Sequence, residues 1–354
     1  MRSGRGSTIS KPRTSRPIRI DRSTSRRRAA GLSVDRVVLP TPFPVGPVNC
    51  WLLRGEPLTL VDAGPNSSEA LAALELGLAG FGLRVEDVEL LLLTHQHSDH
   101  VGLAATISGR SGCAVAAQAE LAGYLQDIPS SLVAEEEWEN DLLRLHGTPP
   151  ARRRAFLGIV SARRRYGGAG VVVDRILADG DAVAAGGRLL RVALRPGHSP
   201  TDTIFVDDET GMVIAGDHLI AHISSNPLSH RPATGSADPA LRSSALVMYL
   251  DSLAETAQED LSTLHTGHGA VIGDHRPLIA DRVRLHHERA EQVREVLSAG
   301  PRSAYELSTV LWPSIAVNQT YLTLCEVLGA LDLLEASDRV AAVEHGGSLV
   351  YEQA

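Results

Sequence analysis

Lysine and cysteine are scarce in this chain, and long apolar runs are absent. Lys11 is the only lysine, so Arg supplies almost all of the positive charge. Cys50, Cys113 and Cys325 are odd in number and far apart, which argues against a disulfide framework and indicates reduced thiols. The longest apolar runs, such as VELLLL, fall far short of the roughly 20 residues that cross a bilayer. We therefore expect a cytoplasmic protein without a membrane span.

Positive charge is concentrated at the start of the chain. Residues 1–30 contain nine arginines and Lys11 against Asp21 alone, whereas the rest has 24 basic and 41 acidic residues, a formal net charge of −17. No apolar segment follows this tail, so it does not match a secretory signal. Because it has too few apolar residues to fold, we expect a disordered extension. A nucleic-acid arm, a transit peptide and a wrongly assigned start codon are the alternatives.

The body of the chain has the pattern of an α/β protein. With 354 residues and 43% hydrophobic content, it can form one large domain and a smaller one. Short Val- and Leu-rich runs from residue 33 predict strands, and the segment SSEALAALELGLAG predicts a helix with Ser67 or Ser68 as its N-cap. A second cluster of strands is predicted between residues 170 and 216.

A dense group of titratable side chains follows the most apolar segment. The run ELLLL predicts a strand buried on both faces, and the carboxyl end of such a strand opens into a ligand-binding crevice. The loop THQHSDH follows, with His95, His97, Asp99 and His100 within six positions. Imidazoles two positions apart in extended backbone project to one side, and a turn brings the next two groups to a neighbouring point. Since burying these groups without a partner charge is costly, the loop is predicted to serve two adjacent metal ions.

Four further motifs extend this pattern. RPGHSPTD supplies His198, IAGDHLI supplies Asp217, HTGHGAVIGD supplies His268, and the earlier LVDAG supplies Asp62. With the H-x-H-x-D-H signature, they make residues 33–275 resemble the metallo-β-lactamase superfamily, whose fold is an αββα sandwich. This chain has Thr-Gly-His-Gly where relatives usually have Pro-Gly-His-Gly.

The resemblance implies a dinuclear metal site. One ion would be bound by His95, His97 and His198, the other by Asp99, His100 and His268, and Asp217 would bridge the two. Two Zn²⁺ ions per chain are expected, with Fe or Mn as alternatives. They would hold a bridging hydroxide, with Asp99 and Asp217 as the catalytic carboxylates. Asp62 would orient a ligating group, and a role as a turn residue is its alternative.

A helical insertion is predicted between the two strand clusters. Residues 131–166 contain two helical stretches broken at GTPP, and in this fold they should arch over the metal crevice as a lid. Arg153 and Arg164 lie in two triple-arginine runs and are candidate substrate-binding residues for a remote anion, such as a coenzyme A phosphate. A surface of arginines paired with neighbouring glutamates is the alternative.

The C-terminal region predicts a small domain of its own. Residues 276–354 contain a long linker helix, two more helices and a hairpin with a Gly-Gly turn, and Ser303 and Glu306 have capping-box spacing. His286 and His287 are expected on a solvent-exposed face of the linker helix. The order of elements resembles the winged-helix appendage of one branch of the superfamily.

Charge argues against nucleic acid as the partner of this module. Residues 301–354 have two arginines against seven acidic residues, a formal balance of −5. Phosphate contacts dominate nucleic-acid affinity, so the module is expected to pack against the body or to form a homodimer.

The resemblance also narrows the reaction. No cysteine stands at the position of Asp217, which argues against β-lactam hydrolysis, and the complete ligand set disfavours a mononuclear iron dioxygenase. The motifs resemble the glyoxalase II-like branch, although glutathione-binding residues have no counterpart. It implies a hydrolase of thioesters or related esters, acting on a small-molecule or carrier-linked acyl substrate. An endoribonuclease or phosphodiesterase, a lactonase and a non-enzymatic metal-binding regulator are the alternatives.

Overall fold

Two β-sheets between layers of helices form the body of the protein. The computed structural model describes residues 33–232, 236–316 and 319–354, which leaves the predicted disordered tail of residues 1–30 outside the described residues. Residues 33–354 form one compact unit. The side chains buried between the two sheets come from both of them, for example Trp51 and Leu92 from the first and Phe205 from the second. This is the αββα sandwich that the sequence predicts.

The first sheet has six strands in chain order. They are β1 (Val34–Leu39), β2 (Val48–Leu53), β3 (Thr59–Val61), β4 (Leu90–Leu92), β5 (Ala114–Gln118) and β6 (Arg175–Leu177). Strands β1 to β3 are antiparallel neighbours, and β3 to β6 are parallel. Strand β4 is buried along its whole length, as the leucine run predicts. Its carboxyl end leads directly into the histidine-rich loop.

The second sheet has the order β11-β10-β9-β8-β7. Its strands are β7 (Ala182–Ala185), β8 (Arg188–Leu194), β9 (Thr203–Asp207), β10 (Met212–Gly216) and β11 (Thr263–Thr266). All neighbours are antiparallel except β10 and β11, which are parallel. The predicted second strand cluster is therefore split, because β6 at its start pairs with β5 in the first sheet.

Helices cover the outer face of each sheet. Those of the first sheet are α1 (Ser68–Ala79), α2 (Ser98–Val101), α3 (Ala104–Ser111) and α4 (Ala119–Gln126), and a 3₁₀ turn spans Val85–Asp87. Helix α1 begins as predicted, because the Ser67 hydroxyl accepts a hydrogen bond from the backbone N–H of Ala70. Helix α7 (Ala245–Gln258) packs on the second sheet, and a 3₁₀ turn at Pro239–Leu241 precedes it.

The predicted lid consists of two helices, α5 (Ile128–Leu145) and α6 (Pro150–Gly167). They share a hydrophobic core with the C-terminal elements, to which Trp138 of α5, Phe156 of α6 and Leu324 contribute. Those elements are α8 (His275–Leu297), α9 (Ala304–Leu311), α10 (Thr320–Glu335) and a sheet of β12 (Arg302–Ser303), β14 (Ser348–Gln353) and β13 (Val340–His345). The lid and the C-terminal region therefore stabilise each other.

Two local predictions for the C-terminal region are confirmed. Ser303 and Glu306 form the capping box at the start of α9. Gly346 and Gly347 connect β13 to β14, and both have positive φ angles, as a two-residue hairpin turn of type I′ requires. Among the described residues, no helix has both the length and the apolar character needed to cross a membrane.

Candidate metal centre

The predicted ligands all lie just after strands, either in a loop or in the short helix α2. His95, His97, Asp99 and His100 come after β4 and run into the short helix α2. The other three follow strands of the second sheet: His198 after β8, Asp217 after β10 and His268 after β11. The fold thus brings together seven side chains that are up to 173 positions apart in the chain.

Three imidazoles form one half of the cluster. The Nδ1 atom of His97 lies 3.1 Å from Nε2 of His95 and 3.0 Å from Nε2 of His198. The outer nitrogens of the two partners have other contacts. Nδ1 of His95 is 2.9 Å from the Thr94 hydroxyl, and Nδ1 of His198 is 3.0 Å from the Asn226 carbonyl oxygen.

The other half combines imidazoles with carboxylates. Nε2 of His268 lies 3.3 Å from Oδ2 of Asp99 and 3.5 Å from Oδ2 of Asp217. Nε2 of His100 is 3.5 Å from Oδ1 of Asp217. The second oxygen of Asp217 is also 3.7 Å from Nε2 of His198 in the first half. Asp217 therefore faces both halves.

Hydrogen bonds at the periphery of the cluster leave the inner nitrogens of the imidazoles as acceptors that face its centre. Nδ1 of His268 donates to the Pro47 carbonyl oxygen at 2.8 Å, and Nδ1 of His100 donates to Asp62 at 2.7 Å. A neutral imidazole that donates through one nitrogen has only a lone pair on the other. The inner atoms Nε2 of His100, Nε2 of His268 and Oδ1 of Asp217 are buried without a hydrogen-bond partner in the described part of the chain.

This set of atoms fits metal ions. Imidazole nitrogens and carboxylate oxygens face each other here at about 3 to 4 Å, and with neutral imidazoles most of them are buried acceptors without donors, which is costly. Divalent cations between them would satisfy all of them, and imidazole nitrogen and carboxylate oxygen are common ligands of Zn²⁺. Three overlapping groups of ligand atoms are close enough to hold an ion: His95, His97 and His198; His95, His100 and Asp217; Asp99, His100 and His268.

The electrostatics favour neutral imidazoles in the first half. Burial lowers the pKa of His95 and of His97 well below the usual value, and neighbouring imidazoles lower both further. Burial also lowers the pKa of His198. A neutral imidazole is the form that binds a metal ion. In the second half, burial opposes charge on Asp217, His268 and His100, but the attraction between this carboxylate and the two imidazoles outweighs it. The pKa of Asp217 lies well below its usual value and the pKa values of His100 and His268 are raised, so a metal ion would displace the protons on Nε2 of these two histidines.

Asp62 orients the cluster from behind. It follows β3 with a φ of 63° and is 1% exposed. Its carboxylate accepts hydrogen bonds from His100, from the Thr94 backbone N–H at 2.9 Å and from the Thr94 hydroxyl at 2.9 Å. Because that hydroxyl donates to Asp62, it must accept from Nδ1 of His95. One carboxylate thereby fixes the orientation of an imidazole in each half.

Gly267 is required by close packing at the cluster. A Cβ atom at this position would lie 2.2 Å from Oδ1 of Asp217 and 2.7 Å from Cε1 of His100. Any side chain would push Asp217 or His100 out of place. This explains the first glycine of the Thr-Gly-His-Gly motif in physical terms.

The two candidate substrate-binding arginines lie on lid helix α6 and contact the other lid helix, α5. Arg164 forms an ion pair with Glu136, which is 2% exposed, and Nη1 of Arg153 lies 3.5 Å from Oδ1 of Asn140. The neighbouring Arg163 pairs with Glu139. These contacts match the alternative interpretation, a set of arginines paired with lid glutamates. A role in binding an anion stays a prediction.

One histidine beside the cluster was not predicted from the sequence. The ring centroid of His230 lies 5.7 Å from that of His97. It lies in a segment rich in Pro and Ser between β10 and α7, without a periodic pattern or a metal-ligand spacing. Only the fold brings it to the site, so no local signal identified it.

Comparisons with known proteins establish the family. The model of the metallo-beta-lactamase superfamily matches residues 43–268. The chain belongs to this superfamily. A probable metallo-hydrolase of Bacillus subtilis, YqjP, is 31% identical over 320 residues, which cover 89% of this chain and 96% of the relative.

Two solved structures extend the similarity to nearly the whole chain. A metallo-beta-lactamase family protein from Thermus thermophilus has 29% identity and a TM-score of 0.74, with coverage of 91% of this chain and 98% of the other. A beta-lactamase domain protein from Burkholderia ambifaria has 26% identity and a TM-score of 0.77, with coverage of 91% and 92%. The similarity therefore includes the C-terminal region as well as the superfamily core.

Proposed function

We propose that this protein is a metal-dependent hydrolase that cleaves a thioester or a related ester. The observation that carries the proposal is the convergence of imidazole nitrogens and carboxylate oxygens in one buried cluster, in a superfamily that includes a probable metallo-hydrolase 31% identical to this chain. Two divalent ions, with Zn²⁺ preferred over Fe or Mn, fit the number and type of ligand atoms.

The ligands would divide between two ions. His95, His97 and His198 would hold one, Asp99, His100 and His268 the other, and Asp217 would contact both. When bound, such ions make a water molecule nucleophilic at neutral pH and polarise the carbonyl oxygen of the substrate. Asp62 keeps His100 and His95 in the orientation that leaves their inner lone pairs free. Asp99 and Asp217 are the carboxylates positioned to hold a proton at the reaction centre.

Charge supports an acyl substrate over RNA. The body of the chain has a formal net charge of −17, which disfavours the phosphate backbone of a nucleic acid. Arg163 and Arg164, which could have formed a phosphate-binding surface, pair with glutamates of the lid. The glyoxalase II-like affiliation, the winged-helix interpretation of the C-terminal region and a cytoplasmic homodimer remain parts of the proposal.

Elemental analysis tests the metal centre. We expect about two transition-metal ions per chain in protein purified under metal-replete conditions, and a marked loss of metal and activity in Asp217→Ala. Asp207→Ala is a matched control, because Asp207 is also a buried aspartate at the carboxyl end of a strand of the second sheet, but it pairs with Arg188. One ion per chain, or none, would contradict the dinuclear site.

A substrate panel tests the reaction. Purified protein is assayed against an acyl-thioester, a homoserine lactone, bis(p-nitrophenyl) phosphate and a labelled RNA. The proposal predicts the highest kcat/KM for the thioester. Faster cleavage of the lactone, the phosphodiester or RNA would overturn the thioester assignment while leaving the metal centre intact.

A further inference from the structure

His230 is a buried histidine beside the cluster that the proposed ligand set does not use. Its side chain is 9% exposed, and its ring lies next to that of His97, with an angle of 36° between the ring planes. Nδ1 of His230 lies 2.9 Å from Oε1 of Glu135, on the lid helix α5, and 3.5 Å from Nε2 of the Gln96 amide. Nε2 is buried and has no hydrogen-bond partner in residues 33–232, 236–316 and 319–354.

The contact with Glu135 defines which nitrogen of His230 carries the hydrogen. A carboxylate can only accept hydrogen bonds, and the Glu135 contact is shorter than the Gln96 contact, so Nδ1 donates to Glu135 and Nε2 of the neutral imidazole has a free lone pair. A buried acceptor without a partner costs free energy, and such groups require an explanation in terms of water, a ligand or function. The ring of His97, a proposed metal ligand, has its centroid 5.7 Å away, so His230 lies beside the proposed reaction centre.

The segment that carries His230 is held by three parts of the protein. Glu135 of the lid also accepts a hydrogen bond from the backbone N–H of Arg231 at 3.2 Å. From α10, the Tyr321 hydroxyl donates to the Ser229 carbonyl oxygen, and Sγ of Cys325 accepts from the Ser229 backbone N–H at 3.5 Å. A few residues earlier, the Asn226 carbonyl oxygen receives Nδ1 of His198.

Through these contacts, the lid and the C-terminal region both hold the segment that carries His230. They fix one segment whose beginning orients a candidate metal ligand and whose end presents a free imidazole nitrogen. Packing against two separate elements restricts the rotamers of His230, which is what a preorganised binding group requires.

We propose that Nε2 of His230 accepts a hydrogen bond from an N–H or O–H group of the substrate, at a distance from the scissile bond. His230 is then a specificity residue that contacts substrate, and Glu135 is its positioning residue. The inference rests on the proposed thioester hydrolysis. The amide N–H that follows the sulfur in a pantetheine-like arm is a donor of the required kind, whereas a simple alkyl thioester has none.

Two substitutions distinguish the role of Nδ1 of His230 from that of Nε2. His230→Asn retains an amide that can donate to Glu135 and removes the group at Nε2. His230→Gln extends further and places an amide oxygen near the former Nε2. Matched substrates are S-butyryl-N-acetylcysteamine, which has the amide N–H, and S-ethyl thiobutyrate, which has the same scissile bond without it.

We expect His230→Asn to lower kcat/KM for the N-acetylcysteamine ester by about five- to tenfold, as for one lost hydrogen bond, and to leave the ethyl ester nearly unchanged. His230→Gln should recover part of the loss. His287→Asn is the control, because His287 is exposed on α8, and it should change neither substrate. An equal loss for both substrates, or no loss for either, would overturn the inference.

A binding measurement distinguishes failure of this inference from failure of the proposed function. Calorimetry gives the Kd of the thioether analogue of the N-acetylcysteamine ester, in which CH₂ replaces the carbonyl group. A Kd about fivefold weaker in His230→Asn, with unchanged metal content and Tm, supports the hydrogen bond. An unchanged Kd contradicts it. Wild-type protein that binds the analogue but hydrolyses neither ester contradicts the proposed function alone, and protein that does neither contradicts both.

Discussion

Replacement of Asp62 by Asn should weaken metal binding while preserving the shape of the site. The Asp62 carboxylate accepts from the backbone N–H and hydroxyl of Thr94 and from Nδ1 of His100, at 2.7 to 2.9 Å. An amide has only one acceptor oxygen, so its NH₂ group must face at least one of these donors. If it faces His100, the imidazole adopts its other tautomer, in which Nε2 carries a hydrogen and cannot bind a metal.

The size of the effect follows from these contacts. One buried hydrogen bond that is lost or mismatched costs about 1 to 3 kcal/mol of folding free energy. Loss of a group that orients a metal ligand typically weakens metal affinity by about 10- to 100-fold, which corresponds to about 1.4 to 2.7 kcal/mol. Because Asp62 also acts on His95 through the Thr94 hydroxyl, we expect both halves of the site to be affected.

The assay is a competition titration with a chromophoric chelator, combined with a thermal melt. Asp207→Asn serves as the control, since this variant should lose stability by breaking the pair with Arg188 yet retain the wild-type metal affinity. Asp62→Asn with wild-type affinity for both ions would refute the reasoning, because it would mean that the tautomers of His95 and His100 do not depend on Asp62.

Three further predictions address other parts of the chain. Burial lowers the pKa of His146 to about 3 in the folded protein. As the pH drops below about 6.5, His146 is protonated in the unfolded chain but not in the folded protein, so the free energy of unfolding should fall by up to about 1.4 kcal/mol per pH unit. His146→Gln should reduce this slope in pH-dependent urea unfolding, and an identical slope would contradict the assignment. Gly267→Ala should reduce activity at least tenfold by displacing Asp217, and wild-type kinetics would show that the loop adapts at little cost. Deletion of residues 1–30 should leave Tm and turnover unchanged, because no apolar periodicity connects them to the core, and a large loss of either would show that the tail contributes to the fold.

The parts of the fold that could be predicted are those in which local and long-range preferences agree. The leucine run predicted β4, and the loop after it brought four ionisable groups to one place, since a buried strand has a single carboxyl end. Ser67 caps α1, and the glycine pair at 346–347 forms a hairpin, because each satisfies a local backbone requirement.

The predictions that were wrong, or missing, depended on partners far away in the chain. The run GVVVDRIL has the pattern of a strand, but only Arg175–Leu177 pairs, and Val172 is 77% exposed. His286 was expected on an exposed face of α8, yet it is 1% exposed and lies near Glu326 of α10, whereas His287 is exposed as predicted. His230 acquired its neighbours only through α5 and α10. Sequence periodicity indicates which face of a helix is polar, but it does not identify the element that covers that face.

The shared core of the lid and the C-terminal region has a consequence for substrate traffic. A lid that opens by a hinge motion must separate from the elements it packs against, and this is favourable only if little apolar surface becomes exposed. Helices α5 and α6 cannot do so, because Trp138 and Phe156 would leave a core completed by α8, α10 and the C-terminal sheet. We therefore expect substrate entry and product release without a hinged opening of these two helices. In native-state hydrogen exchange, the amides of the two lid helices should open together with those of α10, as one cooperative unit and not as an independently mobile gate.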